Sequence, residues 1–306
     1  MPIPQGHFDA CPRTSIVLRS CKQARTRTQG DRRAIMTVIG CKICSEKSVP
    51  FATATVLARH EARFVQCTSC GFMCIEAPTW LDEAYAQPIN STDIGLLSRN
   101  VSLARRSARL VSTFFDASGD FLDFGGGYGV FVRLMRDQGF RFQLHDEHTP
   151  NLFAPGLSVS AEAMSHYELI TAFEVIEHLL DPLDQVRRLL DHTGSLLFTT
   201  ELLPTPAPPP NDWWYYGLEH GQHVSFFTQD SLRELATRTR RRYLTDGGTL
   251  HLLTDRTMSD RRFKLISSSY AGMLLDPLLA RRFSGRSLLQ SDYEIVRDQQ
   301  GGNERR

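Results

Sequence analysis

At 306 residues with 41% hydrophobic content, the chain can bury one good core and a smaller appendage. Its 35 basic and 34 acidic groups leave a formal charge of +1, so there is no general field to draw in nucleic acid or an anionic membrane, and a basic partner surface would have to be local. No stretch reaches the roughly eighteen apolar residues of a membrane span, and the N-terminus lacks the apolar core of a secretion signal; a cytoplasmic protein without membrane contact is expected.

Residues 1–36 hold basic side chains against only Asp9 and Asp31, with no usable periodicity, and read as a disordered extension; Met36 could itself be a start. Residues 37–78 contain Cys41-Lys-Ile-Cys44 and Cys67-Thr-Ser-Cys70-Gly71. Each C-x-x-C turn offers two thiolates from one knuckle, and two knuckles close a tetrahedral site with no open position, so structural zinc in a small N-terminal ribbon is expected. Gly71 suits the positive φ that such a turn often needs. Cys11, Cys21 and Cys74 have no partner pattern.

Residues 79–116 read as a helical lead-in, with Leu96, Leu97, Val101, Leu103, Leu110 and Val111 near helical spacing. Tyr85 and the polar run Asn90-Ser91-Thr92 are candidates for a lid, with a plain surface loop as the alternative. Residues 117–258 then alternate strand and helix: Phe121–Phe124, a helix stopping at Gly139, Phe142–Leu144 ending at Asp146, residues 168–173, a helix through Leu183, Val186, Leu189 and Leu190, and Ser195–Thr199. Strands flanking Asp246-Gly247-Gly248 form a hairpin, so an antiparallel strand closes an otherwise parallel sheet. The fold class is α/β, a doubly wound, mostly parallel sheet with the zinc ribbon appended. In residues 259–306 helix is expected, with Ser291-Asp-Tyr-Glu294 as a capping box for a short final helix and Gly301-Gly302 at its frayed end.

The most informative segment is Phe121-Leu-Asp-Phe-Gly-Gly-Gly-Tyr-Gly129, an apolar strand running into an acid and four glycines. Its glycines miss both registers of the dinucleotide fingerprint, because the third place falls on Val130 or Val132. Asp123, Gly125, Gly127 and Gly129 stand at every second position instead. An acid at the strand end suits a cationic amino group, bare backbone beyond it suits a nucleoside with no phosphate, and Asp146 can accept from ribose hydroxyls. S-adenosylmethionine has this combination.

On these residues the chain resembles the class I S-adenosylmethionine-dependent methyltransferases. Leu122-Asp-Phe-Gly-Gly-Gly-Tyr-Gly129 is similar to their first motif and Phe173-Glu-Val-Ile-Glu-His-Leu179 to the fourth-strand motif of one bacterial branch. The resemblance implies a seven-stranded sheet, ribose binding by Asp146, methionyl binding by Gly125, Gly126, Gly127 and Gly129, adenine near Ser160–Glu162, and Phe173 and Glu174 beside the cofactor.

A sulfonium methyl is already activated, so the protein must align a nucleophile and, for a hydroxyl or carbon acid, remove a proton. Candidate bases Glu219, His220 and His223 follow a Pro-rich loop and the aromatic run Trp213–Tyr216; a polar cap packed by core aromatics is the alternative reading. His178 competes as base or is structural, and His145 and His148 read as loop residues. Gln222-His-Val-Ser-Phe-Phe-Thr228 is similar to a signature of nucleotide-sugar C-methyltransferases, which also carry a four-cysteine zinc module. That resemblance implies His223 as proton acceptor, although Gln222 stands where the signature has glutamate. The expected activity is methyl transfer to a small-molecule acceptor, a sugar or nucleotide-sugar hydroxyl or carbon. The alternatives are an RNA methyltransferase whose zinc module grips nucleic acid and a noncatalytic scaffold.

Overall fold

The computed structural model describes residues 39–86, 93–283 and 286–303. The N-terminal extension and Asn90-Ser91-Thr92 lie outside the described residues. Two sheets organise the rest. The first is built from β1 (Ile39–Gly40), β2 (Lys47–Val56), β3 (His60–Cys67) and β4 (Met73–Ile75). All pair antiparallel in chain order, and the β2–β3 register slips between Pro50 and Ala52, where proline has no N–H to give the ladder. The two cysteine knuckles sit in the β1–β2 and β3–β4 connections.

After α1 (Leu81–Ala84), the long helix α2 (Leu96–Phe114) buries Leu103, Ala104, Ala108, Leu110 and Val111 on one stripe. The second sheet follows, with β5 (Asp120–Phe124), α3 (Val130–Asp137), β6 (Arg141–His145), β7 (Leu169–Ala172), α4 (Pro182–Leu190) and β8 (Ser195–Thr199). Every residue of β7 and β8 is buried, which is why their sequences are short apolar runs rather than alternating ones. The chain then crosses to the first sheet as β9 (Ser225–Phe226), where Phe226 pairs with Met73 and Ser225 with Cys74. It returns through α5 (Gln229–Arg238) and the hairpin β10 (Arg242–Thr245) and β11 (Leu250–Thr254). Thr228 caps α5 by accepting from the Ser231 N–H at 3.1 Å.

The order β10-β11-β8-β7-β5-β6 has parallel pairing among β5 to β8, with β11 antiparallel to β8. The antiparallel closing hairpin expected from Asp246-Gly247-Gly248 is therefore present. The expected seven strands are not: among the described residues this sheet has six, and beyond β6 they show only a single parallel bridge between Leu144 and Ser158. The segment after Asp146 carries Pro150, Asn151 and Gly156 and has too little apolar alternation to sustain a ladder. Asn151 instead folds it locally, accepting from the Ala154 N–H at 2.9 Å.

Helices α6 (Asp260–Ser267), α7 (Ser269–Phe283) and α8 (Leu289–Asn303) complete the described chain. The capping-box expectation at Ser291 is corrected: α8 begins two residues earlier, and Ser291 Oγ donates back to the Leu288 carbonyl at 2.8 Å. Gly301 and Gly302 are likewise within the helix rather than past its end. Asp292 docks α8, accepting from Arg136 Nε at 2.8 Å and Arg133 Nη1 at 2.7 Å. Among the described residues no helix is long and apolar enough to cross a membrane.

Candidate active site and cysteine cluster

Cys41, Cys44, Cys67 and Cys70 converge, all buried. The Sγ atoms of Cys41 and Cys70 are 3.6 Å apart and those of Cys44 and Cys67 are 3.4 Å apart. Four thiolates about 2.3 Å from one zinc ion would stand about 3.8 Å from each other, so the donors fit a closed tetrahedral site with little movement. Backbone N–H groups of Ile43, Ser69 and Cys70 point at Cys41 and Cys67 sulfur at 3.4 Å, favouring the thiolate form. The hydrogen bond with Cys70 pulls the Cys41 thiol down to about 5. Cys74 lies buried on β4 outside this set.

The parallel sheet opens at the C-terminal ends of β5, β6 and β7 into a cleft of about 750 Å³. In a doubly wound sheet this is where a ligand is expected. The glycine ladder is explained by backbone conformation: Gly125, Gly127 and Gly129 have φ of 67°, 57° and 83°. Gly126 answers a different need, because a Cβ there would lie 2.2 Å from Asp123 Oδ2 and 2.5 Å from Leu144 Cδ1. Asp123, Gly125, Gly126, Gly127, Asp146, Phe173 and Glu174 all line the cleft. Gly129 is not among the lining residues and serves as the left-handed residue opening α3. Ser160–Glu162 is not among them either, and 161–163 form a short 3-10 turn.

Asp146 organises the loop with both oxygens, accepting from Gly127 N–H at 2.9 Å on Oδ2 and from His148 and Thr149 N–H at 2.9 and 2.7 Å on Oδ1. Asp123 is buried, accepts from Thr171 Oγ1 at 2.6 Å, and is pushed up to about 7 by burial. A cationic amino group above it would favour its carboxylate. Glu174 holds a left-handed φ of 55°, costly for a residue with a Cβ, and is pinned by Thr199, whose Oγ1 donates to Glu174 Oε1 at 2.7 Å.

Across the cleft stand Tyr85, His178, Trp214, Tyr215, Glu219, His220, Gln222 and His223. The first sheet and the α1 segment fix this wall from behind. Ile75 N–H donates to Val224 O at 3.0 Å, Trp80 Nε1 to Gly221 O at 2.9 Å and Gln222 Nε2 to Ala84 O at 2.9 Å. Tyr215 is a pivot: its hydroxyl donates to Glu177 Oε1 at 2.8 Å, and its carbonyl accepts from His223 Nδ1 at 2.6 Å. A carbonyl only accepts, so His223 carries its proton on Nδ1 and keeps its lone pair on Nε2. Burial, helped by His220, pushes His223 down to about 3. Burial also holds His178 well below and Glu177 well above their usual ranges.

Sequence reasoning brought Glu219, His220 and His223 to one wall, and left Tyr85 with two readings that the structure narrows: its ring lines the cleft, stacked 5.0 Å from His148. His148 is a loop residue, as expected. His145 is instead the last residue of β6, its ring 5.1 Å from Phe124. Asp93, Arg99 and Asn100 were missed, although Leu96, Arg99, Asn100 and Leu103 stand at helical i, i+3, i+4, i+7 spacing and share the face of α2 that lines the cleft. Glu177 was also missed; the signal was its place between Glu174 and His178, one turn from the strand end.

Residues 98–240 match a family described as "Methyltransferase domain". No curated protein matches the chain in sequence. Similar solved structures include a methyltransferase of calicheamicin biosynthesis in its S-adenosylhomocysteine-bound form, 18% identical with a TM-score of 0.37, covering 57% of this chain and 62% of that one. An O-methyltransferase family protein from Burkholderia thailandensis is 13% identical, TM-score 0.44, over 58% of this chain and 63% of that one. A 1,6-didemethyltoxoflavin-N1-methyltransferase, also from Burkholderia thailandensis, is 16% identical, TM-score 0.43, over 69% and 99%. The chain thus spans 62% of the first of these relatives. Residues 98–240 thus match a methyltransferase domain, the glycine loop and Asp146 line its cleft, and beside it lies a buried four-cysteine cluster suited to structural zinc.

Proposed function

We propose that the protein methylates a hydroxyl of a small polar ring acceptor, a sugar or nucleotide sugar, held between the glycine loop and the histidine wall. The observation that carries this reading is the His223 imidazole, whose Nε2 lone pair is left free by the bond from Nδ1 to Tyr215 O on a side chain that lines the cofactor cleft. Trp214, 73% exposed at the cleft, offers a flat face for a sugar ring. S-adenosylmethionine, when bound, supplies an electrophilic methyl. Asp123 and Asp146 would hold its amino group and ribose, with Phe173 and Glu174 alongside.

Oxygen is favoured over carbon as the acceptor atom. Gln222 cannot act as an acid or base, and its amide serves as a clasp to Ala84. A carbon acid would need the stronger base that a glutamate at that position could support. Glu219 and His220, on the same wall, would carry the released proton toward solvent.

The test is release of S-adenosylhomocysteine from a panel of nucleotide sugars by wild type and His223→Ala. Turnover is expected to fall about 10²- to 10⁴-fold in the variant, with cofactor affinity unchanged within about twofold. Equal turnover would remove His223 from the mechanism, and wild-type inactivity on every sugar would remove the acceptor class.

A further inference from the structure

Beyond the cysteine cluster, one other group of side chains converges among the described residues. Ligand atoms of Glu177, His178 and His223 lie within 4.8 Å of one another, at the edge of the cofactor cleft. From this arrangement we infer a second metal site: a two-histidine, one-carboxylate centre for a first-row divalent transition ion that binds the acceptor hydroxyl. The inference rests on the reading that the acceptor lies against His223.

Four observations converge on it. Glu177 is fully buried, yet its Oε2 has no hydrogen-bond partner among the described residues. A buried carboxylate oxygen left unpaired is costly, and protonating it only exchanges an orphan acceptor for an orphan donor. A cation resolves both. Second, each side chain is oriented from behind as metal ligands usually are. Tyr215 OH holds Glu177 Oε1 at 2.8 Å, Tyr215 O holds His223 Nδ1 at 2.6 Å, and Tyr85 OH meets His178 Nδ1 at 3.1 Å. One tyrosine thus sets two of the three ligands.

Third, the spacing is right for closure. Ligands about 2.1 Å from a shared ion stand roughly 3–4 Å apart, so the three atoms need only side-chain adjustment. Fourth, the ligands come from two rigid places, the 3-10 turn Ile176–His178 and the loop before β9, and the Val224 N–H to Glu177 O bond of 2.9 Å ties these together. Imidazole pairs select transition ions over magnesium, and three protein ligands leave positions open for an acceptor oxygen.

The centre would act as a Lewis acid on the acceptor hydroxyl. The acceptor O–H bond breaks, its proton leaving toward Glu219, His220 and solvent. The freed oxygen pair forms the new O–CH₃ bond as the S–CH₃ bond breaks, its electrons staying on sulfur. No electrons enter or leave the system. His223 is then a ligand, and its low proton affinity is no handicap to the reaction.

The experiment counts metals per chain by elemental analysis after equilibrium dialysis of zinc-replete protein against Co²⁺, for wild type, Glu177→Gln and His223→Ala. Cofactor binding is measured in parallel by calorimetry. The expected result is one cobalt beyond the cysteine-bound zinc in wild type, lost at least tenfold in affinity in both variants, while the zinc count stays at one and reports that each variant is folded. Methyl transfer by wild type freed of the second metal, with its zinc count still at one, should recover with Co²⁺. Wild type binding no cobalt beyond the zinc site, or Glu177→Gln binding as wild type does, would overturn the inference. S-adenosylmethionine binding without a second metal sinks this site and leaves the methyltransferase reading intact, and a second metal without cofactor binding does the reverse.

Discussion

Asp123 ties the cofactor loop to pH. Burial pushes its carboxyl up to about 7 from an ordinary 3.8, so between those values the folded chain holds a proton that the unfolded chain has released. Asp123 therefore contributes stability that is lost as pH rises through about 7. The proposed contact of Asp123 with the cofactor has the opposite sign, because a cationic amino group needs the carboxylate. S-adenosylmethionine affinity is expected to weaken as pH falls from 8 through about 7, and Asp123→Asn should flatten that profile while lowering affinity; calorimetry across pH checks both. Gly126→Ala tests the close approach. A Cβ there collides with Asp123 and Leu144, so affinity should drop at least tenfold and stability by about 1–3 kcal/mol, read from calorimetry and urea unfolding. The glycine ladder was legible because left-handed backbone has so few compatible residues. Glu174, left-handed without being glycine, and Glu177, whose buried Oε2 has no partner among the described residues, were not legible, because tertiary packing imposes both conditions.

At the scale of elements, the cysteine sheet also bears on catalysis, although its metal would do no chemistry. Its strand β4 pairs with β9, and β9 begins two residues after His223. Arg238 Nη2 to Cys44 O at 2.6 Å and Thr228 Oγ1 to Cys70 O at 2.7 Å bind both knuckles to the adjacent α5 region. Removing zinc, or replacing Cys67 by Ser, is therefore expected to cost turnover at least tenfold while cofactor affinity, which we propose the β5 loop sets, changes less than threefold. Turnover and calorimetry on dialysed protein check the split. The C-x-x-C pairs announced the knuckles, but not that a two-residue strand from residues 225–226 would complete their sheet; so short a strand has no periodicity to read. Periodicity also located β5, β7, β8 and the closing hairpin. The seven strands implied by the resemblance are not all formed, because Pro150 and Gly156 reduce the pairing beyond β6 to a bridge, and the capping-box reading failed at α8, whose start is set by tertiary docking.

Over the whole molecule, α8 is tied to α3 by charged contacts. Asp292 of α8 is the partner of Arg136, which is only 7% exposed. Asp292→Ala leaves that guanidinium buried without its counter-charge and should cost about 3–5 kcal/mol, read from the urea midpoint, with S-adenosylmethionine affinity unchanged in the folded protein. Composition alone indicated one main core with a small appendage. The α/β class was also readable from the order of elements, whereas the histidine wall's attachment to the cysteine sheet depended on contacts between residues far apart in the chain. The central claim is that the cleft beyond β5, β6 and β7 is built for a cationic sulfur nucleoside. Calorimetric titration of S-adenosylmethionine into wild type and Asp146→Ala tests it most directly: one site per chain is predicted for wild type, weakened at least tenfold by the substitution. No binding by folded wild type, or equal binding by the variant, would contradict it.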